Sequence, residues 1–182
     1  MVDGIMPVMD VRETGVVVRA ARPEEYDAVG ELTVQVYVGE GYVEAGSWYA
    51  GELADTARRA AAARVLVATH ADRVVGSLTV AAAGTPYAEI ALPGELEFRM
   101  LAVAKAARGL GAGTALVRTV IDLARAEGHA AVALTTMSAM VDARRMYDRI
   151  GFCPVPSRDW RTSTGTPLTV LRLPLDSSGD SL

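Results

Sequence analysis

Leu96–Gly113, LEFRMLAVAKAARGLGAG, joins an apolar, strand-like run to a glycine-rich turn headed by Arg108, and a helical pattern begins at Thr114. A turn that opens a helix presents several backbone N–H groups at the positive end of the helix dipole, which makes an anion site suited to phosphate. Gly109, Gly111 and Gly113 carry no Cβ, so backbone there can turn sharply and approach a pyrophosphate closely.

Three phosphate signatures compete for this turn. A dinucleotide fingerprint needs G-x-G-x-x-G, but after Gly109 and Gly111 the third glycine position is Thr114. A nucleotide P-loop needs G-K-[ST], and no lysine sits beside these glycines. The third, R/Q-x-x-G-x-G/A, is met in full by Arg108, Gly111 and Gly113. The alternative without a ligand is an ordinary strand–turn–helix connection whose glycines only permit tight packing.

This third motif resembles the coenzyme A pyrophosphate loop of the GNAT family, the Gcn5-related N-acetyltransferases. The family's leucine–small–valine run before that loop is matched by Leu101-Ala102-Val103. Its helix with A-x-x-x-Y, then a turn to Gly-Phe, is matched by Ala143-Arg144-Arg145-Met146-Tyr147 and Gly151-Phe152. The resemblance runs from about Val16 to Leu173 and is sharpest in Glu97–Gly113 and Ala143–Phe152. It departs at Met140, where an asparagine is common, and after Val103, where a proline is usual.

Composition sets outer bounds. A chain of 182 residues, 51% of them hydrophobic, is long enough for one globular domain with a substantial core. The net charge of −4, without a basic tract, argues against nucleic-acid binding. The single cysteine, Cys153, excludes an intrachain disulfide and fits a reducing compartment, so a cytoplasmic protein is expected. One cysteine and two histidines make a structural zinc site implausible, and no metal is expected. No run of about twenty apolar residues is present, so no membrane span is expected.

Along the chain, residues 1–15 read as a loose tail, 16–175 as one acetyltransferase-like α/β domain, and 176–182 as a second tail. Strands are expected at Val16–Arg19, Arg64–Thr69, Arg73–Ala83, Leu96–Val103, Ala130–Thr135, Phe152–Pro156 and Pro167–Leu173. His70-Ala71-Asp72 signals a hairpin turn. Helices are expected from Pro23 to about Tyr37, over Trp48–Ala63, from Ala112 to Glu127 and over Ala139–Ile150. Together with the resemblance, the fold class is an α/β acyl-CoA N-acyltransferase fold with a central mixed, mostly antiparallel sheet flanked by helices.

Candidate chemistry begins with Glu97. Strand alternation puts Glu97, Arg99, Leu101 and Val103 on one face and Leu96, Phe98, Met100 and Ala102 on the other. A carboxylate in a mainly apolar strand is costly unless it is paired, for instance with Arg99, or performs chemistry. The resemblance favours chemistry, since a glutamate at this place acts as general base in the histone-acetyltransferase branch. Partial burial would raise its pKa toward working pH, and Glu95 is the neighbouring alternative. Tyr147 shares a helical face with Met140, Ala143 and Ile150, which by periodicity alone reads as a packed core tyrosine.

The resemblance implies acetyl-CoA as cosubstrate and transfer of its acetyl group to a primary amine, of a small molecule or a peptide, through a tetrahedral intermediate. Leu101, Ala102 and Val103 would pair with the pantetheine arm where this strand splays from Ala130–Thr135. The Leu101 N–H would stabilise the oxyanion. Arg108, Gly109, Leu110, Gly111, Ala112, Gly113 and Thr114 would hold the pyrophosphate. Ala143 and Tyr147 would contact the cofactor, with the Tyr147 hydroxyl protonating the departing thiolate. Residues 37–49 and 84–94 would wall the acceptor, offering Tyr42, Trp48, Tyr87 and Glu89, and Trp160, after Ser157-Arg158-Asp159, would join them. Homodimerisation is common among similar proteins. The rival function is a non-catalytic acyl-CoA-binding regulatory module, in which Glu97 and Tyr147 are structural.

Overall fold

Alternating β-branched runs, each closed by a glycine, a proline or an Asp-containing turn, build most of the strands. The computed structural model describes residues 10–11 and 15–176; the remainder of the expected tails lies outside the described residues. The strands are β1 (Asp10–Val11), β2 (Val16–Ala20), β3 (Arg64–His70), β4 (Arg73–Ala82), β5 (Glu95–Val103), β6 (Ala131–Thr136), β7 (Cys153–Pro154), β8 (Trp160–Arg161) and β9 (Pro167–Pro174). The helices are α1 (Tyr26–Gly39), α2 (Trp48–Ala54), α3 (Thr56–Ala62), α4 (Ala112–Ala126) and α5 (Val141–Ile150). The result is the expected mixed α/β fold, with a mostly antiparallel sheet and flanking helices.

The described residues form two compact units. The first comprises the described residues up to Thr79 together with Met100–Thr119, and the second Val80–Arg99 together with the described residues from Val120.

In the first unit β2 pairs antiparallel with β1 and β3, with Val18 opposite Ala68. The turn from β3 to β4 places Ala71 and Asp72 at φ 46° and 60°, which two consecutive left-handed residues of a tight hairpin require. Val29, Val65 and Val67 form a buried cluster joined by Ala21, Ala60 and Val74. Helices α1 and α2 approach so closely that a Cβ on Gly30 would lie 2.3 Å from the Ala54 carbonyl oxygen. The single helix expected over Trp48–Ala63 is two helices. Asp55 ends α2 and caps α3, its carboxylate accepting the Arg58 N–H at 3.0 Å, and a capping residue at φ −85°, ψ 72° cannot continue a helix.

In the second unit the strand order is β5-β6-β9-β7, with β8 pairing β9. The β5–β6 pair is parallel, Glu95 opposite Ala131 and Glu97 opposite Ala133, whereas β6–β9, β7–β9 and β8–β9 are antiparallel. Residues 95–98 are buried on both faces, and so are 131–134, as expected for strands covered on both sides. Phe98, Tyr147 and Phe152 stack edge-on or tilted, with ring centroids 5.8–6.2 Å apart, and tie α5 to β5.

Candidate functional site

The glycine-rich turn is built in the first unit. Gly109 and Gly111 adopt φ 88° and 77°, a left-handed pair that residues with a Cβ rarely enter. A Cβ at either position would meet nothing within 4 Å among the described residues, so both glycines face open space. The first backbone bond of α4 runs from the Ala115 N–H to the Gly111 carbonyl at 2.9 Å. Gly111, Ala112, Gly113 and Thr114 therefore start α4 with N–H groups that have no carbonyl a turn earlier within the helix. Gly109 and Gly111 are exposed, Leu110, Gly113 and Thr114 half-buried, and Ala112 buried. Arg108 beside them pairs with Glu40 at 2.7 Å, a partly exposed contact of the kind that is weak and exchangeable.

Leu101, Ala102 and Val103 lead into this turn, and Leu101 and Val103 are half-buried. The regular alternation expected through β5 is interrupted at Met100, whose φ is 56°. A left-handed conformation at a residue with a side chain costs on the order of 1–3 kcal/mol and persists only where the surroundings fix it. Arg59, only 1% exposed, donates to the Met100 sulfur at 3.0 Å and to Thr79 Oγ1 at 3.4 Å. Its other terminal nitrogen donates to the Leu53 carbonyl at 3.1 Å and Thr56 Oγ1 at 3.0 Å.

In the second unit the charged residues of β5 all reach the connection before it. Glu97, 0% exposed, accepts the backbone N–H groups of Glu89, Ile90 and Ala91 on one oxygen at 2.9–3.0 Å, while Oε1 is buried without a hydrogen-bond partner among the described residues. Burial pushes its carboxyl above the usual range, more than the loop N–H groups and Arg99 pull it down. Arg99 donates to the Tyr87 carbonyl at 3.1 Å and to the Glu89 carboxylate at 2.7 Å. Arg99 acts on Glu97 through its charge, and both side chains also reach the same loop.

Glu95, the alternative base, is tied up more tightly. It receives Arg158 at 2.9 Å, Arg172 at 2.7 Å and the Leu92 N–H at 3.0 Å. Burial works against its charge, but the bonds from Arg158, Leu92 and Arg172 together hold its carboxyl below the ordinary value. Arg158 also donates to the Ile90 carbonyl. Sequence reading gave Arg158 and Arg172 no role; their link to Glu95 spans 63 and 77 residues and leaves no local pattern.

Tyr147 is buried within the aromatic trio, and burial pushes its hydroxyl well above the usual range. Ala143 lies one helical turn earlier on α5, half-buried. Of the acceptor-side candidates, Tyr87 is buried, Trp160 lies half-buried in β8, and Glu89 is held by Arg99. In the first unit Tyr42 packs edge-on against Tyr37, and Trp48 is 73% exposed beside Tyr49. The structure therefore brings Leu101–Thr114 together as one strand–turn–helix, and Glu97, Tyr147 and the 84–94 connection around the first half of β5.

Residues 26–152 match the model of the acetyltransferase (GNAT) family. The chain belongs to the GNAT family. Over 58 residues this GNAT chain is 43% identical to the "Probable N-acetyltransferase camello" of Xenopus tropicalis, a match spanning 32% of this chain and 26% of that protein. A GCN5-related N-acetyltransferase from Kribbella flavida superposes with a TM-score of 0.68 at 25% identity, over 88% of this chain and 98% of that one. The Salmonella typhimurium protein yncA, solved with its cofactor acetyl-CoA, shares the GNAT fold with a TM-score of 0.66 at 19% identity, over 92% and 97% of the two chains. Among the described residues no group of three or more His, Cys, Asp or Glu side chains could hold a metal, and no helix is long and apolar enough to cross a membrane.

Proposed function

We propose that this GNAT protein transfers the acetyl group of acetyl-CoA to a primary amine carried by a small molecule or a peptide. The observation that carries the reading is the left-handed Gly109–Gly111 turn, open above both glycines, at the start of α4. Such a turn suits the pyrophosphate of acetyl-CoA, which is the cofactor named for the yncA structure. Arg108 can exchange its weak contact with Glu40 for a phosphate at little cost.

When bound, acetyl-CoA supplies an acetyl group activated as a thioester. In this reading Leu101, Ala102 and Val103 offer main-chain groups to the pantetheine arm, Ala143 packs against the cofactor, and residues 108–114 hold the phosphates. Glu97 takes the ammonium proton, directly or through a water, and its Oε1 has no partner that would compete. As the new C–N bond forms and the C–S bond breaks, the Leu101 N–H stabilises the charge developing on the carbonyl oxygen. Tyr147, protonated at neutral pH as any ordinary phenol is, gives a proton to the sulfur and recovers one from the nitrogen of the new amide.

One observation favours the rival reading of a non-catalytic acyl-CoA-binding module: Glu97 anchors three loop N–H groups and Tyr147 is part of an aromatic core. Calorimetric titration with acetyl-CoA, beside NAD and ATP, followed by an amine-acceptor screen with thiol detection separates the two. Selective acetyl-CoA binding with thiol release is the expected result. Binding without release to any amine supports the module, and no binding by the folded protein overturns both.

A further inference from the structure

We infer that Arg59 is a positioning residue for acyl transfer: by holding the Met100 side chain it fixes the left-handed backbone that sets the direction of the Leu101 N–H. This rests on the reading of Leu101 as the oxyanion donor. The link is covalent at its last step, because the Leu101 nitrogen belongs to the peptide that begins at the Met100 carbonyl. Rotation about the Met100 backbone therefore swings that N–H directly. Met100 stands at φ 56°, a region that residues other than glycine enter uncommonly and at a cost.

The surroundings supply the restraint. Arg59 lies in α3 and is 1% exposed; its guanidinium is clamped from one side by the Leu53 carbonyl at the end of α2 and by Thr56 Oγ1. On the other side it donates to Thr79 of β4 and, at 3.0 Å, to the Met100 sulfur. A thioether is a weak acceptor for which a charged donor is the stronger partner. A buried guanidinium costs more than a hydrocarbon of similar volume, so packing alone would be better served by leucine or methionine. What the guanidinium adds is a rigid, planar fork that links two helix ends to the strand position before Leu101.

The test is a double-mutant cycle in the full chain, comparing Arg59→Met in the natural background with Arg59→Met in Met100→Gly. Glycine occupies the left-handed region without help, so it uncouples the two residues. The expected result is a fall in kcat of about 10-fold to 100-fold on Arg59→Met, with acetyl-CoA affinity by calorimetry changing less than about threefold. In the Met100→Gly background the same change should cost less than about threefold. Equal losses in both backgrounds, or no loss in either, would overturn the inference.

Should Arg59→Met fail to fold, Arg59→Lys keeps the cation and loses the fork, and the leucine-labelled protein reports on the Leu101 amide by NMR without substrate. A displaced Leu101 resonance in Arg59→Lys, restored toward its own reference in the Met100→Gly background, is expected; an unmoved resonance would sink the idea. The same spectrum stays informative if no amine is acetylated, so failure of the acetyltransferase reading and failure of this inference are separable.

Discussion

Glu95 and Arg158 meet at 2.9 Å although 63 residues separate them, and the carboxylate is 5% exposed. With Arg172 on the other oxygen, this buried cluster joins β5, β9 and the segment between β7 and β8. Arg158 also holds the Ile90 carbonyl, so it fastens the connection that the resemblance places beside the acceptor. Removing one partner of a buried ion pair leaves a charge without compensation. Arg158→Met should therefore lower unfolding stability by about 2–4 kcal/mol in urea titration, less if Arg172 takes over both oxygens. A loss below about 0.5 kcal/mol would show that the cluster does not hold the segment in place.

The two glutamates of β5 predict opposite pH dependences of stability. Glu95 has a lowered carboxyl pKa, so the folded state binds fewer protons than the unfolded one; its contribution is present above the unfolded value near 4.3 and is lost as pH falls through the folded value. Glu97 has a raised pKa, so the folded state binds more protons, and stability falls as pH rises from the unfolded value through the folded one. Urea midpoints across pH 3 to 8 (an interval of about five units around these values) should lose the falling limb in Glu97→Gln and keep it in Glu95→Gln. A falling limb that survives Glu97→Gln would exclude Glu97 as its source.

Legibility in the sequence followed the range of the interactions. The hairpin at His70–Arg73, the left-handed glycine turn before α4 and the apolar faces of α4 and α5 depend on neighbours within a few residues, and local pattern carries them. The break at Asp55 is also local but was masked, because the alanine-rich stretch around it continues a helical pattern that one capping carboxylate overrides. Met100 left no sign, since its left-handed backbone depends on Arg59, 41 residues away. Glu97 stood out as a carboxylate in an apolar strand, but its grip on three loop N–H groups comes from a connection with no regular pattern.

Tyr147→Phe separates packing from proton donation. The phenyl ring preserves the contacts with Phe98 and Phe152, so stability should change by less than about 1 kcal/mol. If the hydroxyl serves the departing thiolate, kcat should fall about 100-fold, and a better leaving thiol should recover part of the loss. Unchanged turnover would leave Tyr147 as a core aromatic only.

Glu97→Gln tests base and anchor at once, and a split in the kinetic constants tells them apart. Loss of a general base lowers kcat by about 100-fold or more and removes the ascending acid limb of the pH–rate profile. Loosening of residues 89–91 instead raises the acceptor KM while kcat is kept. A rise in KM alone would assign Glu97 to the loop and return the search for the base to the acceptor-side residues.

Gly111 gives the cleanest separation of folding from cofactor binding. Its φ of 77° penalises a residue with a Cβ by about 1–2 kcal/mol, yet a Cβ there meets no atom within 4 Å among the described residues. Gly111→Ala should fold with only that small loss of stability, while its methyl group, in the open space beside the turn, would compete with a phosphate bound there. Gly111→Glu adds a negative charge at the same place. Acetyl-CoA affinity should therefore fall about 10-fold in the first variant and beyond detection in the second, with thermal unfolding shifted equally and slightly in both. Full acetyl-CoA affinity in Gly111→Glu would return this turn to a mere connection between β5 and α4.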